Sequence, residues 1–446
     1  MLKIYKDIFD QLNRNNVQYC VYKSLNFLQE DLKGNRGDID ILIDKKDLDV
    51  FTTTLKKKSV FLSFKSDKPY YFIGIDQQTH KFILIDLNTN IQFGPKPYKP
   101  FHVNIDFDKL KIVKFNQLLL LSDNDYIPLM FLMRILSLSE KQQDLNEIKE
   151  YLINTSIQDG YIKTLVESIV GDDWQNIVVN ILKSASWKDL KGHYSRLVQD
   201  NVNTDNILYL KQSFRYFLTK MAAVKNRIFK KPNYRIRKRG CLIAFVGVDG
   251  AGKSSTIEYV CNLKFFNLTG IKRVYFGNNE YWIPGLLWLL EKQYKNKYLR
   301  LLLSTLVLVD RKLRIYIAKY YMLMGNHVVA DRYFYDDLIG KELNKDKRVE
   351  KKGSLKKVLV WLYTKLFRVN SIIKKPDVTI FLDVSPDVAY QRKQDYSYEK
   401  MLEVNKAYKD YMYNIDEVKV VDTDMSQKEV YTSVVDIIID LDKKNQ

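Results

Sequence analysis

Cysteine is scarce. The 446-residue chain holds three, Cys20, Cys241 and Cys261, and none are in CxxC spacing. An odd count without paired spacing excludes a disulfide scaffold and points to buried thiols in a reducing compartment, so a cytoplasmic setting is expected. The four histidines (His80, His102, His193, His327) are scattered, which leaves no zinc-ligand cluster along the sequence. Long hydrophobic runs are also missing. The most apolar stretches, 286–290 and 301–309, fall far short of the roughly 18–20 residues that span a bilayer. The opening MLKIYKDIFDQLNRNN lacks the apolar core of a signal peptide. Both apolar stretches read as buried helix, with peripheral membrane contact as the alternative use of such a stripe.

What is present is the mix of a globular protein: 46% apolar and 28% charged residues, over a length that suggests two or three domains. The charge is uneven. Residues 1–200 carry 27 basic and 26 acidic side chains, whereas 201–446 carry 45 and 27. The second half therefore attracts anions, and phosphates are the first class to consider.

No repeat at solenoid period is present. Residues 3–13 place Ile4, Ile8, Phe9 and Leu12 on one helical face. Short β-rich runs follow at 18–22, 39–43, 70–75, 81–87 and 102–107. Residues 125–228 read as helical, with Pro128 near a helix start and Leu145, Ile148 and Leu152 on one face. The stretch 225–240 has eight Lys/Arg and one proline, and reads as a solvated linker. From Cys241 onward, strand and helix signals alternate, as in a parallel sheet covered by helices. The expected domains are 1–124 (α+β), 125–224 (helical), 225–240 (linker) and 241–446 (α/β).

The strongest motif is Gly247-Val248-Asp249-Gly250-Ala251-Gly252-Lys253-Ser254, a match to GxxxxGK[ST] between an apolar run and a helix-like run. Glycines let successive backbone N–H groups turn inward around phosphate oxygens, and the next helix adds its positive end. Lys253 reaches the β- and γ-phosphates of ATP, Ser254 can ligate Mg²⁺, and Ser255 follows on the same turn. Two further runs support phosphoryl transfer. HVVADRYFYDD ends a strand with Asp331 and Arg332, where the ligand crevice of an α/β sheet opens. PDVTIFLDVSPDVAYQRKQD carries a buried strand, a Pro-Asp helix start, then Arg392 and Lys393 to neutralise a transferring phosphoryl group.

These residues resemble the thymidylate kinase family over about 241–415: FVGVDGAGKSS, the DRY of Asp331–Tyr333, PDVTIFLDVSPDVA, and a basic lid-like QRKQDYSYEK with Tyr408 and Tyr411 downstream. The resemblance implies that Lys253, Ser254 and Ser255 bind ATP phosphate and Mg²⁺, that Asp249 and Arg332 face the acceptor, and that Arg392 belongs to the lid. Departures lie on the acceptor side. Val246 replaces the family's acid before the first glycine, RVYFGNNEYWIPG stands where REPGGT is found, and FYDDLIGKE follows DRY in place of the family's Ser-x-x-Ala-Tyr-Gln. The ATP half is kept while the thymidylate half is rebuilt.

Near the N-terminus, Asp38 and Asp40 sit two apart in an apolar strand and share a face; Asp86, in KFILIDL, can complete a Mg²⁺ site for nucleotidyl transfer. The stretch resembles the nucleotidyltransferase fold, with Lys23-Ser24 in place of its Gly-Ser turn. Such fusions are similar to those near bacterial surface-polysaccharide enzymes, which implies a sugar or glycan acceptor.

The expectation is a two-domain α/β enzyme: a C-terminal P-loop parallel sheet with flanking helices, preceded by a nucleotidyltransferase-like α+β domain and a helical segment. It would use ATP and Mg²⁺ to phosphorylate a small molecule, either a nucleoside monophosphate or a sugar. A homodimer is compatible with this reading, and nucleic acid is not an expected partner. The rivals are nucleotidyl transfer through the Asp-x-Asp site and a non-catalytic basic binder.

Overall fold

A computed structural model of the chain describes all residues except 23–24, 36, 64–69, 94–100, 104, 136–141, 202–231, 278–279, 293–296, 334, 336–338, 340–374, 395–396, 416 and 446. The chain divides into two units, Met1–Lys225 and Asn226–Gln446. The Lys23-Ser24 turn lies outside the described residues.

In the first unit, α1 (Lys3–Arg14) buries Ile4, Tyr5, Ile8, Phe9 and Leu12, the stripe expected from spacing plus one tyrosine. It is followed by β1 (Tyr19–Val21), α2 (Leu25–Leu32), β2 (Ile39–Ile43), α3 (Leu48–Lys57), β3 (Val60–Leu62), β4 (Tyr71–Ile75) and β5 (Phe82–Asn88). A small pair, β6 (Ile91–Phe93) and β7 (Phe101–Val103), precedes β8 (Ile112–Phe115) and β9 (Leu118–Leu121). Seven strands form one mixed sheet in the order β3-β4-β5-β2-β1-β9-β8. Strand β2 runs parallel to β5 with Asp40 opposite Asp86, and antiparallel to β1.

The run expected at 102–107 is shorter than predicted. Its strand ends at Val103, and a single 3-10 turn occupies Phe107–Lys109. Five helices follow: α4 (Asp123–Ile135), α5 (Gln142–Asn154), α6 (Tyr161–Val170), α7 (Trp174–Lys183) and α8 (Trp187–Asn201). Phe131 anchors them, its ring edge-on to Trp174 at 6.3 Å and to Tyr194 at 5.5 Å. Pro128 is not in the first turn. It is the sixth residue of α4, so its missing N–H leaves out one bond of the helix ladder. The expected helical signal beyond Asn201 falls on residues outside those described.

The second unit runs β10 (Leu242–Val246), α9 (Lys253–Asn262), α10 (Lys264–Thr269), β11 (Ile271–Tyr275), α11 (Leu286–Glu291), α12 (Lys297–Leu323) and β12 (His327–Asp331). It continues through β13 (Val378–Asp383), α13 (Pro386–Arg392), α14 (Tyr398–Met412), β14 (Val418–Asp422) and α15 (Gln427–Lys444). The five strands are all parallel in the order β11-β12-β10-β13-β14. The predicted Pro-Asp helix start is α13, where the Ser385 hydroxyl accepts from the Val388 N–H.

Two further expectations change. The apolar stretches at 286–290 and 301–309 are only partly buried: Leu286 and Leu303 pack inward, but Leu287, Trp288, Leu302 and Val309 are exposed. A helix lying on one side of a sheet buries one face, and these stretches are apolar on both.

The basic stretch is also not solvated throughout. Arg237 is fully buried, with Nε 2.5 Å and Nη2 2.9 Å from the Asp442 carboxylate of α15. Its Nη1 donates to the carbonyls of Thr269, Gly270 and Gly325. His327 donates from Nε2 to Asp442 at 3.0 Å and accepts at Nδ1 from the Cys241 N–H at 3.0 Å.

Candidate active site

Strand β10 is buried at every residue and leads into the glycine loop. Gly250 and Gly252 take φ of 89° and 85°. A Cβ on Gly250 would stand 2.5 Å from the Ala389 carbonyl oxygen, so the loop packs against the α13 backbone at a distance only glycine permits. Val248 and Ala251 point inward and fasten the loop to the core. Helix α9 begins at Lys253, directing its positive end at the loop. Lys253 is buried, its Nζ 2.7 Å from the Gly247 carbonyl and 2.8 Å from that of Val248, with the Asp249 carboxylate at 3.9 Å.

The loop floors a crevice of about 590 Å³ at the carboxyl ends of the parallel strands. Asp331 closes β12, buried, and its Oδ2 accepts from Arg273 Nη2 of β11 at 2.6 Å. Arg332 takes φ of 58°, a left-handed conformation that costs a side chain-bearing residue about 1–2 kcal/mol. In that conformation its Nη2 lies 2.6 Å from Asp249 Oδ1. Arg392, in the last turn of α13, lines the crevice and donates to the Thr423 carbonyl at 3.0 Å.

The sequence-predicted residues Asp249, Gly250, Gly252, Lys253, Ser254, Ser255, Asp331, Arg332 and Arg392 thus share one crevice. Arg273, Tyr275 and Glu280 also line it and were not singled out by sequence. Their signal lies in strand order. β11 is read from RVYFG, but nothing local says that it neighbours the strand ending in Asp331. Arg273, Arg332, Arg392, Lys253 and Lys393 outnumber Asp249, Asp331 and Glu280 among the charges lining the crevice, a balance that suits a polyphosphate.

In the first unit, one ligand oxygen each from Asp38, Asp40 and Asp86 lie within 4.8 Å of one another. The β2–β5 register brings Asp40 and Asp86 side by side. Burial, then the nearby Asp40 and Asp86 charges, push the Tyr22 phenol well above its usual value. Three carboxylates at this spacing fit a hard divalent cation such as Mg²⁺.

A strand, glycine loop and helix at the carboxyl edge of a parallel sheet, faced by an acid-terminated neighbouring strand, define the second unit as an α/β P-loop domain with kinase features. The thymidylate kinase of Plasmodium falciparum (isolate 3D7) is 28% identical to this chain over 202 residues, covering 43% of this chain and 85% of that protein. No family model matches the chain. Among solved structures, deoxyadenosine kinase from M. mycoides with bound dATP is 19% identical, covering 44% of this chain and 98% of its own, at a TM-score of 0.30. Thymidylate kinase from Candida albicans is 17% identical, with coverage of 47% and 94% and a TM-score of 0.34. At these TM-scores the case for the fold rests on the chain's own sheet order and loop.

Proposed function

We propose that the second unit is an ATP-dependent kinase of thymidylate kinase type, passing the γ-phosphoryl group to a small acceptor, either a nucleoside monophosphate or a sugar. The supporting observation is the convergence of Lys253, Ser254, Asp331, Arg332 and Arg392 on one crevice. In this reading the loop N–H groups and Lys253 bind the β- and γ-phosphates, and Arg392 neutralises the group in flight. The Arg332–Asp249 pair faces the acceptor. Ser254 and Asp331 would hold Mg²⁺, which supplies charge neutralisation between the phosphates. Little covalent chemistry is asked of the protein, because in-line phosphoryl transfer is governed by positioning and charge.

The test is ATP consumption across dTMP, other nucleoside monophosphates and sugars, with product mass read at each hit. Lys253→Ala should abolish turnover. Unchanged turnover in that variant, or no nucleotide affinity in the wild type, overturns the reading.

A second reading rests on the Asp38–Asp40–Asp86 cluster: a nucleotidyltransferase-like α+β domain over 1–124, with the helices of 125–224 as its extension. Here the α-phosphate would label the acceptor. Asp38→Ala should then remove activity while Lys253→Ala spares it.

A further inference from the structure

One row of residues crosses the first-unit sheet beside the carboxylate cluster. Strand β2 lies between β1 and β5. Tyr22, the residue after β1, donates its N–H to the Asp40 carbonyl at 3.3 Å, and Asp40 stands opposite Asp86. Asn88 is two residues beyond Asp86 on β5, so both side chains leave the same face of the sheet. The Asn88 Nδ2 donates to the Tyr22 hydroxyl at 2.9 Å, a bond that reaches over β2 to join the strands on either side of it. The Tyr22 ring packs against the apolar core that Cys20 and Leu42 share with helices α4 to α8. The phenol therefore stands where that core ends and the acids begin.

Ring packing alone asks only for phenylalanine at this position. What the hydroxyl adds is a partner for the Asn88 amide. That amide carries two donors and one acceptor. Its neighbours on this face include two carboxylates, which are stronger acceptors than a phenol: Asp86 along its own strand and Asp40 diagonally across from it. The ligand oxygens of Asp38, Asp40 and Asp86 lie within 4.8 Å of one another, and like charges that close draw in any available donor. An amide N–H on those oxygens would occupy lone pairs that a cation needs. The bond to Tyr22 turns the amide nitrogen to the phenol instead.

We propose that Tyr22 is a positioning residue of the cation site: it engages the Asn88 amide and so leaves the Asp40 and Asp86 oxygens available to a hard divalent ion. The proposal rests on the cation site of the second reading and not on its transfer chemistry. Tyr22→Phe keeps the ring against Cys20 and Leu42 and removes only the oxygen. The amide is then released toward the acids while the core stays filled. Altering groups around metal ligands changes metal affinity by roughly 10–100-fold, so the effect is large enough to read directly.

The experiment titrates Mn²⁺ into the full chain and reads free ion by electron paramagnetic resonance. Wild type, Tyr22→Phe, Asn88→Ala and the double variant are compared, each checked for folding by circular dichroism and thermal unfolding. Tyr22→Phe should weaken Mn²⁺ binding about 10-fold. Adding Asn88→Ala to Tyr22→Phe should bring affinity back to within about threefold of wild type, because the competing donor is gone. A packing role for Tyr22 does not give that recovery, since losses of packing accumulate when a second side chain is cut back. Unchanged Mn²⁺ affinity in Tyr22→Phe overturns the proposal. So does a double variant that binds no better than Tyr22→Phe. Wild type that takes up no Mn²⁺ overturns it as well. The nucleotidyl-transfer reading fails separately, when no α-phosphate label reaches any acceptor although the Mn²⁺ affinities follow the expected pattern.

Discussion

Arg332 reaches back across the crevice to Asp249, with Nη2 and Oδ1 2.6 Å apart, and does so from a left-handed backbone. The turn after β12 and the glycine loop are thereby tied by one charge-assisted bond. Asp249→Asn and Arg332→Gln should each lower phosphoryl transfer by about 100-fold. The double variant should be little worse than the poorer single one, because both remove the same bond. A double-variant cycle with additive losses rejects the coupling.

Two loop glycines should respond differently to alanine. At Gly250 the new methyl group meets the Ala389 carbonyl oxygen at 2.5 Å; at Gly252 no atom lies within 4 Å and only the positive φ is strained. Gly252→Ala should cost about 1–2 kcal/mol of stability. Gly250→Ala should cost more and also abolish MgATP binding, since the loop must move off α13. Thermal unfolding and calorimetry on both variants check the order.

The buried imidazole sets a pH dependence. Burial, then the Arg237 charge, push His327 below its ordinary 6.5. The folded ring is neutral, because its Nδ1 accepts the Cys241 N–H. An unfolded chain binds that proton near pH 6.5 and the folded chain does not, so the unfolded state holds more protons below this point. Stability of the second unit should therefore fall as pH drops from 7 toward the lowered folded value, by up to about 1.4 kcal/mol per pH unit. Asp442 adds a later loss: burial raises it, but Arg237 and His327 leave it below 3.8, so its contribution disappears as pH falls through that lower value. Denaturant titrations from pH 7 to 5 should show a shallower slope for His327→Gln, and identical slopes refute the assignment.

The carboxylate cluster of the first unit should bind Mn²⁺ as a spectroscopic stand-in for Mg²⁺. Asp86→Asn, central to the cluster through the β2–β5 register, should weaken that binding at least about 10-fold with the fold intact by circular dichroism. Equal Mn²⁺ affinity in variant and wild type rejects the site.

Much of this arrangement is readable from the chain itself. GxxxxGK[ST] after five apolar residues, and ADRY after HVV, report strand, loop and ligand edge together, because local chemistry and backbone need coincide there. Asp40 and Asp86 each sit in an apolar run, so their strands are visible even though their adjacency is not. What escapes is of two kinds. Leu118–Leu121 is apolar at every position and reads equally as helix, so the β8–β9 hairpin with its Asn116-Gln117 turn is missed. The Arg273–Asp331 contact and the hydrogen bonds from Arg314 to the Tyr275 and Gly277 carbonyls join residues 58 and 37–39 apart in sequence, and no periodicity encodes such pairings.

Arg237 lies five residues ahead of the first strand of the parallel sheet, yet its guanidinium neutralises a carboxylate on the closing helix. A fragment cut at Cys241, where the alternating pattern starts, would enclose Asp442 beside a neutral imidazole with its counter-cation removed. The shortest autonomous version of this half must therefore open upstream of Ile236, inside what looks like a tether.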